Sequence, residues 1–403
     1  MLNMNMKFPW WSRLMLRIGA AIGVVSIAGC IIPPPLPGSF YASEGVQLSG
    51  RPGELLRSEP FPGAPDGATA HRVLYESTGF DGKPVAVSGI VIVPVGKAPP
   101  EGRPIVAWAH PTTGVANGCA PSLNANFFNT VPGLADFLAR GYVVTATDYQ
   151  GLGAAGTHPY LVGNSEAWAV LDSVRAARQL AGAHANHSYV VWGHSQGGQA
   201  ALFAGQLAAG YAPEISLVGV AAAAPATKLG SLLMDNIDTA QGRILTAYAL
   251  WSWSRVYDLS LADAIAKEAD PVVSIIAGQC LESPEEAYHV LFDARPLKYD
   301  FLVGSPVTAE PWSELLLRNQ PGHMTGNAPI FIAQGDTDVI VRPRVTAEWI
   351  ADACRRGERV RWVHMANTGH LGAGRKAVPE VATWIAARFA GAGAPDDCGK
   401  LKL

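Results

Sequence analysis

Val190-Val191-Trp192-Gly193-His194-Ser195-Gln196-Gly197-Gly198 is the stretch from which the rest of the chain can be read. An apolar run leads into it, and an Ala-rich run, Gln196 to Ala209, leaves it. The G-x-S-x-G inside it therefore stands between a strand and a helix, the setting in which that motif forms a nucleophile elbow. A turn this sharp leaves no room for side chains beside the serine, and Gly193 and Gly197 meet that demand. The elbow presents the Ser195 hydroxyl at the carboxyl edge of a sheet. It also sets the backbone N–H of Gln196 at a helix N-terminus, facing a developing oxyanion. In a chain with 43 glycines the motif alone carries little weight, so the flanking strand and helix carry the reading.

A serine hydroxyl is a poor nucleophile until a base takes its proton. Asn367-Thr368-Gly369-His370-Leu371-Gly372 follows the apolar run Val360 to Met365 and offers His370 in a loop after a late strand. His364 falls within that strand, and His194, beside the serine, is expected to point away from the base position. The imidazole needs an acid to fix its tautomer and stabilise its charged form. Ile330-Phe331-Ile332-Ala333-Gln334-Gly335-Asp336-Thr337-Asp338 reads as a strand running into an acidic loop. Asp338 is the expected acid because it follows a short turn after the strand-end glycine, while Asp336 is expected to shape that turn or hydrogen-bond backbone. The order Ser195, Asp338, His370 is the chain order of an α/β-hydrolase. A second oxyanion donor is expected from Ala107-Trp108-Ala109-His110-Pro111-Thr112-Thr113-Gly114. The backbone N–H of Thr112 is the expected donor, alone or with a threonine hydroxyl; Pro111 has no N–H to give. Asp148-Tyr149-Gln150-Gly151 ends the next strand at the same edge and either lines the pocket or holds the loop.

Outward from these motifs the chain alternates. His71 to Thr78 and Pro84 to Pro94, separated by Asp81-Gly82, read as an antiparallel hairpin. Strands at Pro104 to Ala109, Tyr142 to Thr147, Tyr189 to Trp192, Ser216 to Ala223, Pro329 to Ala333 and Val360 to His364 then alternate with helices. The helices are read at Leu134 to Ala139, Ser165 to Leu180, Gln196 to Ala209, Thr346 to Arg355 and Ala377 to Phe389. In Ser165 to Leu180, Ala167, Val170, Leu171, Val174 and Ala177 fall on one face. The pattern predicts an α/β class fold with a mostly parallel, doubly wound sheet. Between about Thr227 and Asn327 the alternation stops. This stretch is helical in pattern, for example Leu259 to Glu268, and rich in aromatics such as Tyr248, Trp251, Trp253 and Trp312. It is too long for a structureless loop, so an inserted helical subdomain is expected, placed where a lid would sit.

Composition narrows the function. The chain has 403 residues, 49% hydrophobic and 16% charged, with net charge −3, so it can bury a large core and has no basic excess for nucleic acid. Lys7, Arg13 and Arg17 precede an uncharged apolar stretch, Ile18 to Gly29. At twelve residues it falls short of the roughly 20 needed to span a bilayer, and it reads as an export signal. Ser26-Ile27-Ala28-Gly29-Cys30 resembles a bacterial lipobox, with Cys30 as the lipidated first residue of an envelope protein, at the outer membrane in a gram-negative cell because Ile31 follows. An ordinary signal peptide with Cys30 incidental is the alternative. The prolines from Ile31 to Gly38 would stiffen a tether to a membrane. The expected boundaries are thus 1–30 for the signal, 31–44 for the tether, 45–226 and 328–403 for the hydrolase core, and 227–327 for the helical lid. Setting Cys30 aside leaves Cys119, Cys280, Cys354 and Cys398, an even set that an oxidising compartment would pair. Four cysteines allow three pairings and sequence alone does not choose; Cys354 with Cys398 and Cys119 with Cys280 is the favoured set. No C-x-x-C spacing suggests a metal.

These motifs together resemble the secretory lipase family, typified by fungal lipases of the Candida antarctica lipase A type and with many bacterial relatives. The resemblance spans roughly residues 45 to 390. It is carried by Cys119-Ala120-Pro121-Ser122, Asp148-Tyr149-Gln150-Gly151, Gly193 to Gly198, Tyr211-Ala212-Pro213-Glu214, the helical insert and Asp338-Val339-Ile340-Val341. The fungal pattern departs from this chain at His110-Pro111-Thr112-Thr113. The resemblance implies ester hydrolysis under a lid covering an acyl pocket. It also implies a cysteine of the oxyanion segment bridged to the lid, which supports Cys119 with Cys280.

The expectation is a serine carboxylic-ester hydrolase acting on lipid-like or other apolar esters, needing no metal or organic cofactor. A serine peptidase of the same fold and a tethered binding protein without activity are the competing readings.

Overall fold

The computed structural model describes residues 34–400. The segment expected as an export signal, with Cys30, lies outside the described residues. Within them, nine strands form one sheet in the order β1-β2-β3-β5-β4-β6-β7-β8-β9. The strands are β1 (Leu55–Pro60), β2 (Ala68–Thr78), β3 (Pro84–Pro94), β4 (Arg103–Ala109), β5 (Val143–Thr147), β6 (Ala185–His194), β7 (Ser216–Ala223), β8 (Ile330–Gly335) and β9 (Val360–Met365). β1, β2, β3 and β5 pair antiparallel in succession, and every pairing from β5 through β4 to β9 is parallel. The sheet is thus mostly parallel, as read from the sequence. β4, β5 and β8 are buried almost throughout, as strands covered on both faces must be.

Helices fill both faces. On one side α2 (Gly163–Gln179), α3 (Gln196–Tyr211) and α9 (Pro343–Arg355) pack Val170, Leu202, Phe203 and Ile350 against Val91, Ile105, Val191 and Ile332. On the other, α1 (Leu134–Ala139), α10 (His370–Lys376) and α11 (Val378–Phe389) bring Phe137, Ala373 and Ile385 against Val106, Trp192 and Phe331. Truncating a fully buried side chain such as Phe331 is expected to cost about 3–5 kcal/mol. Two differences from the sequence reading bear on these layers. β1 was not foreseen: its Arg57-Ser58-Glu59 centre is polar and half-exposed, the composition of an edge strand. His370 does not sit in a loop but is the first residue of α10.

Between β7 and β8 run α4 (Leu229–Asn236), α5 (Ala240–Val256), α6 (Asp270–Ala277), α7 (Pro284–Asp293) and α8 (Trp312–Arg318). They enclose an apolar cluster of their own, including Tyr248, Trp253, Val273, Val290 and Trp312. Local signals set their starts. Thr239 caps α5 by accepting from the Gly242 N–H at 2.9 Å, and Ser283 with Glu286 forms a capping box on α7, with Pro284 at its first position. Leu259 to Glu268, expected as a helix, is not one. Only a 3-10 turn at Leu261–Asp263 forms there, and Ile265 makes a β-bridge with Leu302, so a long-range pairing overrides local helix propensity.

Both favoured disulfides are present, Cys119–Cys280 and Cys354–Cys398. The second ties the C-terminal segment to α9. Asp397 then covers the outer edge of β9, its N–H donating to the Val360 carbonyl at 2.8 Å and its carboxylate accepting from the Trp362 N–H at 3.1 Å. At the other end, the part of 31–44 that is described is not a free spacer. Tyr41 is buried and hydrogen-bonds Ser122 at 2.7 Å. Pro34 and Pro35 lie so close to Gly118 that a Cβ there would come within 2.5 Å of the Pro35 carbonyl oxygen.

Candidate active site

β6 ends at His194, and α3 begins at Gln196. The single residue between them, Ser195, has φ 58° and ψ −117°, a conformation costly for a non-glycine residue. The surroundings impose it: the Ser195 N–H donates to the Ala223 carbonyl at 3.0 Å, and its own carbonyl accepts from Gln199 and Ala226. The close approach is paid by glycine. A Cβ on Gly193 would lie 1.9 Å from the Gly197 carbonyl oxygen, and one on Gly197 would lie 1.9 Å from that of Ala109.

The three residues expected to act together are brought together. His370 Nε2 is 2.8 Å from Ser195 Oγ, and His370 Nδ1 is 2.8 Å from Asp338 Oδ2. Asp338 is fixed in turn. Its Oδ1 accepts from the Ile340 and Val341 N–H groups at 2.9 and 2.8 Å, and its Oδ2 from Gln334 Nε2 at 3.0 Å. Burial pushes this carboxyl upward, but the bonds from His370, Ile340 and Val341 outweigh it and hold the carboxyl below the ordinary aspartate range. Asp336 stays out of the constellation and accepts from the Thr368 N–H at 3.3 Å, bracing the loop that leads to His370. His364 is an exposed residue of β9.

His194 departs from expectation. It does not point away but packs beside His370, ring centroids 5.0 Å apart, and its Nε2–H donates to the His370 backbone carbonyl at 3.0 Å. Burial, with the neighbouring His370 adding to it, pushes His194 down to about 3, so it is neutral and serves as a strut.

Thr112 and Gln196 line different cavities, the wider and the narrower of two that meet at Ser195. A slot of about 80 Å³ is lined by Gln196, Tyr160, Leu229, Leu233, Trp253 and Leu316, almost all apolar. A wider cavity of about 460 Å³ is lined by Thr112, His370, Glu282, Leu291, Leu371 and Arg375 among others. Asp148 holds a loop rather than lining either cavity: it is buried, and its carboxylate accepts from Ser88 Oγ at 2.7 Å and the Ser122 N–H at 2.9 Å. His110 is buried and pushed down to about 4 by that burial. Its ring packs against that of Tyr149, tilted by 33° with centroids 4.3 Å apart. The helical segment is stitched to the Thr112 loop by Cys119–Cys280, by the bridge of Gly114 with Cys280, and by the Leu281 N–H donating to the Thr113 carbonyl at 2.7 Å.

Sequence reading missed a buried polar group behind the elbow: His158, Glu166 and the Gln196 side chain. The one available signal was Glu166 beside the apolar stripe of α2, where a first-turn carboxylate is ordinarily an exposed residue favoured by the helix dipole. Among the described residues no group of three or more His, Cys, Asp or Glu side chains is placed to hold a metal ion.

Comparison with known proteins agrees with this architecture. A family model described as secretory lipase matches residues 130–397. A secreted triacylglycerol lipase of Malassezia globosa is 26% identical over 382 residues, covering 88% of this chain and 79% of its own. A Mycobacterium tuberculosis protein described as a probable inactive lipase is 29% identical over 217 residues, covering 49% of this chain and 48% of its own. In fold, the crystal structure of Candida antarctica lipase A superposes with a TM-score of 0.71 at 19% identity, covering 87% of this chain and 84% of that one.

Proposed function

The chain belongs to the secretory lipase family, and from that premise we propose that it hydrolyses apolar or lipid-like carboxylic esters through an acyl-enzyme on Ser195. The observation that carries this reading is the unbroken sequence of contacts Ser195–His370–Asp338, 2.8 Å at each step. Ser195 Oγ attacks the ester carbonyl carbon while His370 Nε2 takes its proton, and Asp338 stabilises the imidazolium that results. The negative oxygen of the tetrahedral adduct is met by the backbone N–H groups of Gln196 and Thr112. His370 then returns the proton to the alkoxide, the C–O bond breaks and the alcohol leaves. Water, deprotonated by His370, attacks the acyl-enzyme, and collapse of the second adduct releases the acid and restores Ser195. The leaving oxygen must lie within reach of His370. The wider cavity therefore takes the alcohol, and the apolar slot takes the acyl chain, beneath the helical lid at 227–327.

A fluorophosphonate tests the constellation directly. Stoichiometric labelling, lost in Ser195→Ala, together with release of p-nitrophenol from acetyl through palmitoyl esters, is the expected result. An unlabelled, inactive chain would place it with inert relatives.

The chain is exported, as secretory lipases are. We propose further that Cys30 carries a lipid. Pro34 is four residue steps further on, a leash of about 14 Å at full extension, so the folded body would ride close to the membrane. Labelled palmitate incorporated by the full chain in a gram-negative host, and absent from Cys30→Ala, is the expected outcome. Equal labelling of both would exclude this attachment.

A further inference from the structure

We infer that the strap His158-Pro159-Tyr160-Leu161, with Glu166 behind it, is a positioning device that ties the two oxyanion-donor residues, Gln196 and Thr112, to each other. The inference rests on the serine mechanism proposed above. One end of the strap holds Gln196. His158 Nδ1 lies 2.9 Å from the Gln150 carbonyl and donates to it, which leaves the Nε2 lone pair to accept from Gln196 Nε2 at 3.1 Å. The second hydrogen of the same amide goes to Glu166 Oε1 at 2.7 Å, and that oxygen also accepts from the Leu161 N–H at 2.8 Å. The other end holds Thr112, whose hydroxyl is 2.9 Å from the Tyr160 hydroxyl. Between the ends, α5 clamps the strap. Ser252 Oγ donates to the His158 carbonyl at 2.6 Å and accepts from the Tyr160 N–H at 3.0 Å, while Trp253 Nε1 donates to the Tyr160 carbonyl at 2.8 Å. Each oxyanion donor is thereby held through its side chain. An oxyanion hole works by being set before the charge arrives, so such bracing acts on kcat rather than on substrate affinity.

Glu166 gives the device a titration. It is buried, and its Oε2 has no hydrogen-bond partner among the described residues. Burial pushes its carboxyl up to about 8, against the hydrogen bonds from Gln196 and Leu161 that favour the charged form. The titratable groups around it bring no positive charge. His158 in the strap is pushed down to about 3, chiefly by burial, and is neutral. Tyr160 in the strap and Tyr149 after β5 are raised by burial and stay protonated. At neutral pH Glu166 is therefore a neutral acid that accepts two hydrogen bonds. Above pH 8 it becomes an uncompensated buried charge pulling on the Gln196 amide.

The test is the pH dependence of kcat and KM on one p-nitrophenyl ester for the full chain, Glu166→Gln and Tyr160→Phe. In the wild type kcat should fall about five- to tenfold as pH rises through 8, with KM within about twofold. Glu166→Gln offers an acceptor to the same two donors and cannot ionise, so that alkaline fall should vanish. Tyr160→Phe, which removes only the hydroxyl facing Thr112, should lower kcat about tenfold at every pH. An alkaline fall retained in Glu166→Gln, or full kcat in Tyr160→Phe, overturns the inference while leaving the serine mechanism standing. Difference infrared spectra of wild type against Glu166→Gln give a readout independent of turnover. A protonated-carboxyl band at pH 7 that disappears by pH 9 supports the inference, and its absence at pH 7 overturns it.

Discussion

The two walls of the active site are held in opposite ways. On the sheet side, Asp338 and the turn at Ser195 are restrained from nearby in the chain. Asp338 is gripped by the N–H groups of Ile340 and Val341, and Ser195 by its place between β6 and α3. On the helical side, restraint comes from far away. Cys119 and Cys280 are 161 residues apart in sequence, and Ser252 and Trp253 hold a strap some 92 or 93 residues upstream. All three members of the proposed triad stand at ends of the sheet's own strands and helices, and α4–α8 supply none of them. What the helices contribute is the apolar lining of the slot. On the proposed reading, the chemistry would rest on short, stiff turns and the choice of substrate on an insert attached at a few long-range points.

That contrast can be broken at its strongest point first. Ser195→Ala should reduce kcat about 10⁶-fold. Its melting temperature should stay near that of the parent, since among the described residues the hydroxyl is bonded only to His370; a large thermal shift would mean that the elbow is structural rather than chemical. Asp338→Asn keeps the shape and loses the charge, and should lower kcat about 10⁴-fold, measured under saturating ester. Activity close to wild type would move the acid elsewhere, with Asp336 the next to test. On the helical side, replacing Cys119 and Cys280 together with serine should destabilise by about 2–5 kcal/mol in a denaturant titration. A separate early transition, leaving the sheet to melt later, would sharpen the contrast; an unchanged midpoint would remove the disulfide from it. The smallest effect belongs to the slot. Leu233→Trp should shift the ratio of kcat/KM between long and short acyl esters about tenfold toward the short. No change in that ratio would put the acyl chain in the wider cavity instead.

The sheet side was also the legible side. Gly193 to Gly198, the Ile330 to Asp338 run and the loop to His370 announce themselves because sharp turns at strand ends demand small residues and because the chemistry demands particular side chains. What stayed hidden depends on packing. β1 reads as a polar segment because an edge strand keeps a wet face. Leu259 to Glu268 has a helical spacing that the pairing of Ile265 with Leu302 defeats. His194 was assigned the wrong direction because the turn around Ser195 takes a backbone conformation that ordinary strand alternation does not anticipate. Glu166 and His158 look like surface residues, since sequence carries no mark of burial for a single polar side chain whose partners are distant.

The last strand of the sheet has a consequence of a different kind. β9 would otherwise present free backbone donors and acceptors to any passing chain, and Asp397 occupies two of them, Val360 C=O and Trp362 N–H. Cys354–Cys398 keeps that hem sewn. In a reducing medium the hem could come loose while the distant contacts of Ser195, His370 and Asp338 stayed intact. The first sign of reduction would then be turbidity in a concentrated stock, from strand-to-strand association between molecules that still turn over substrate.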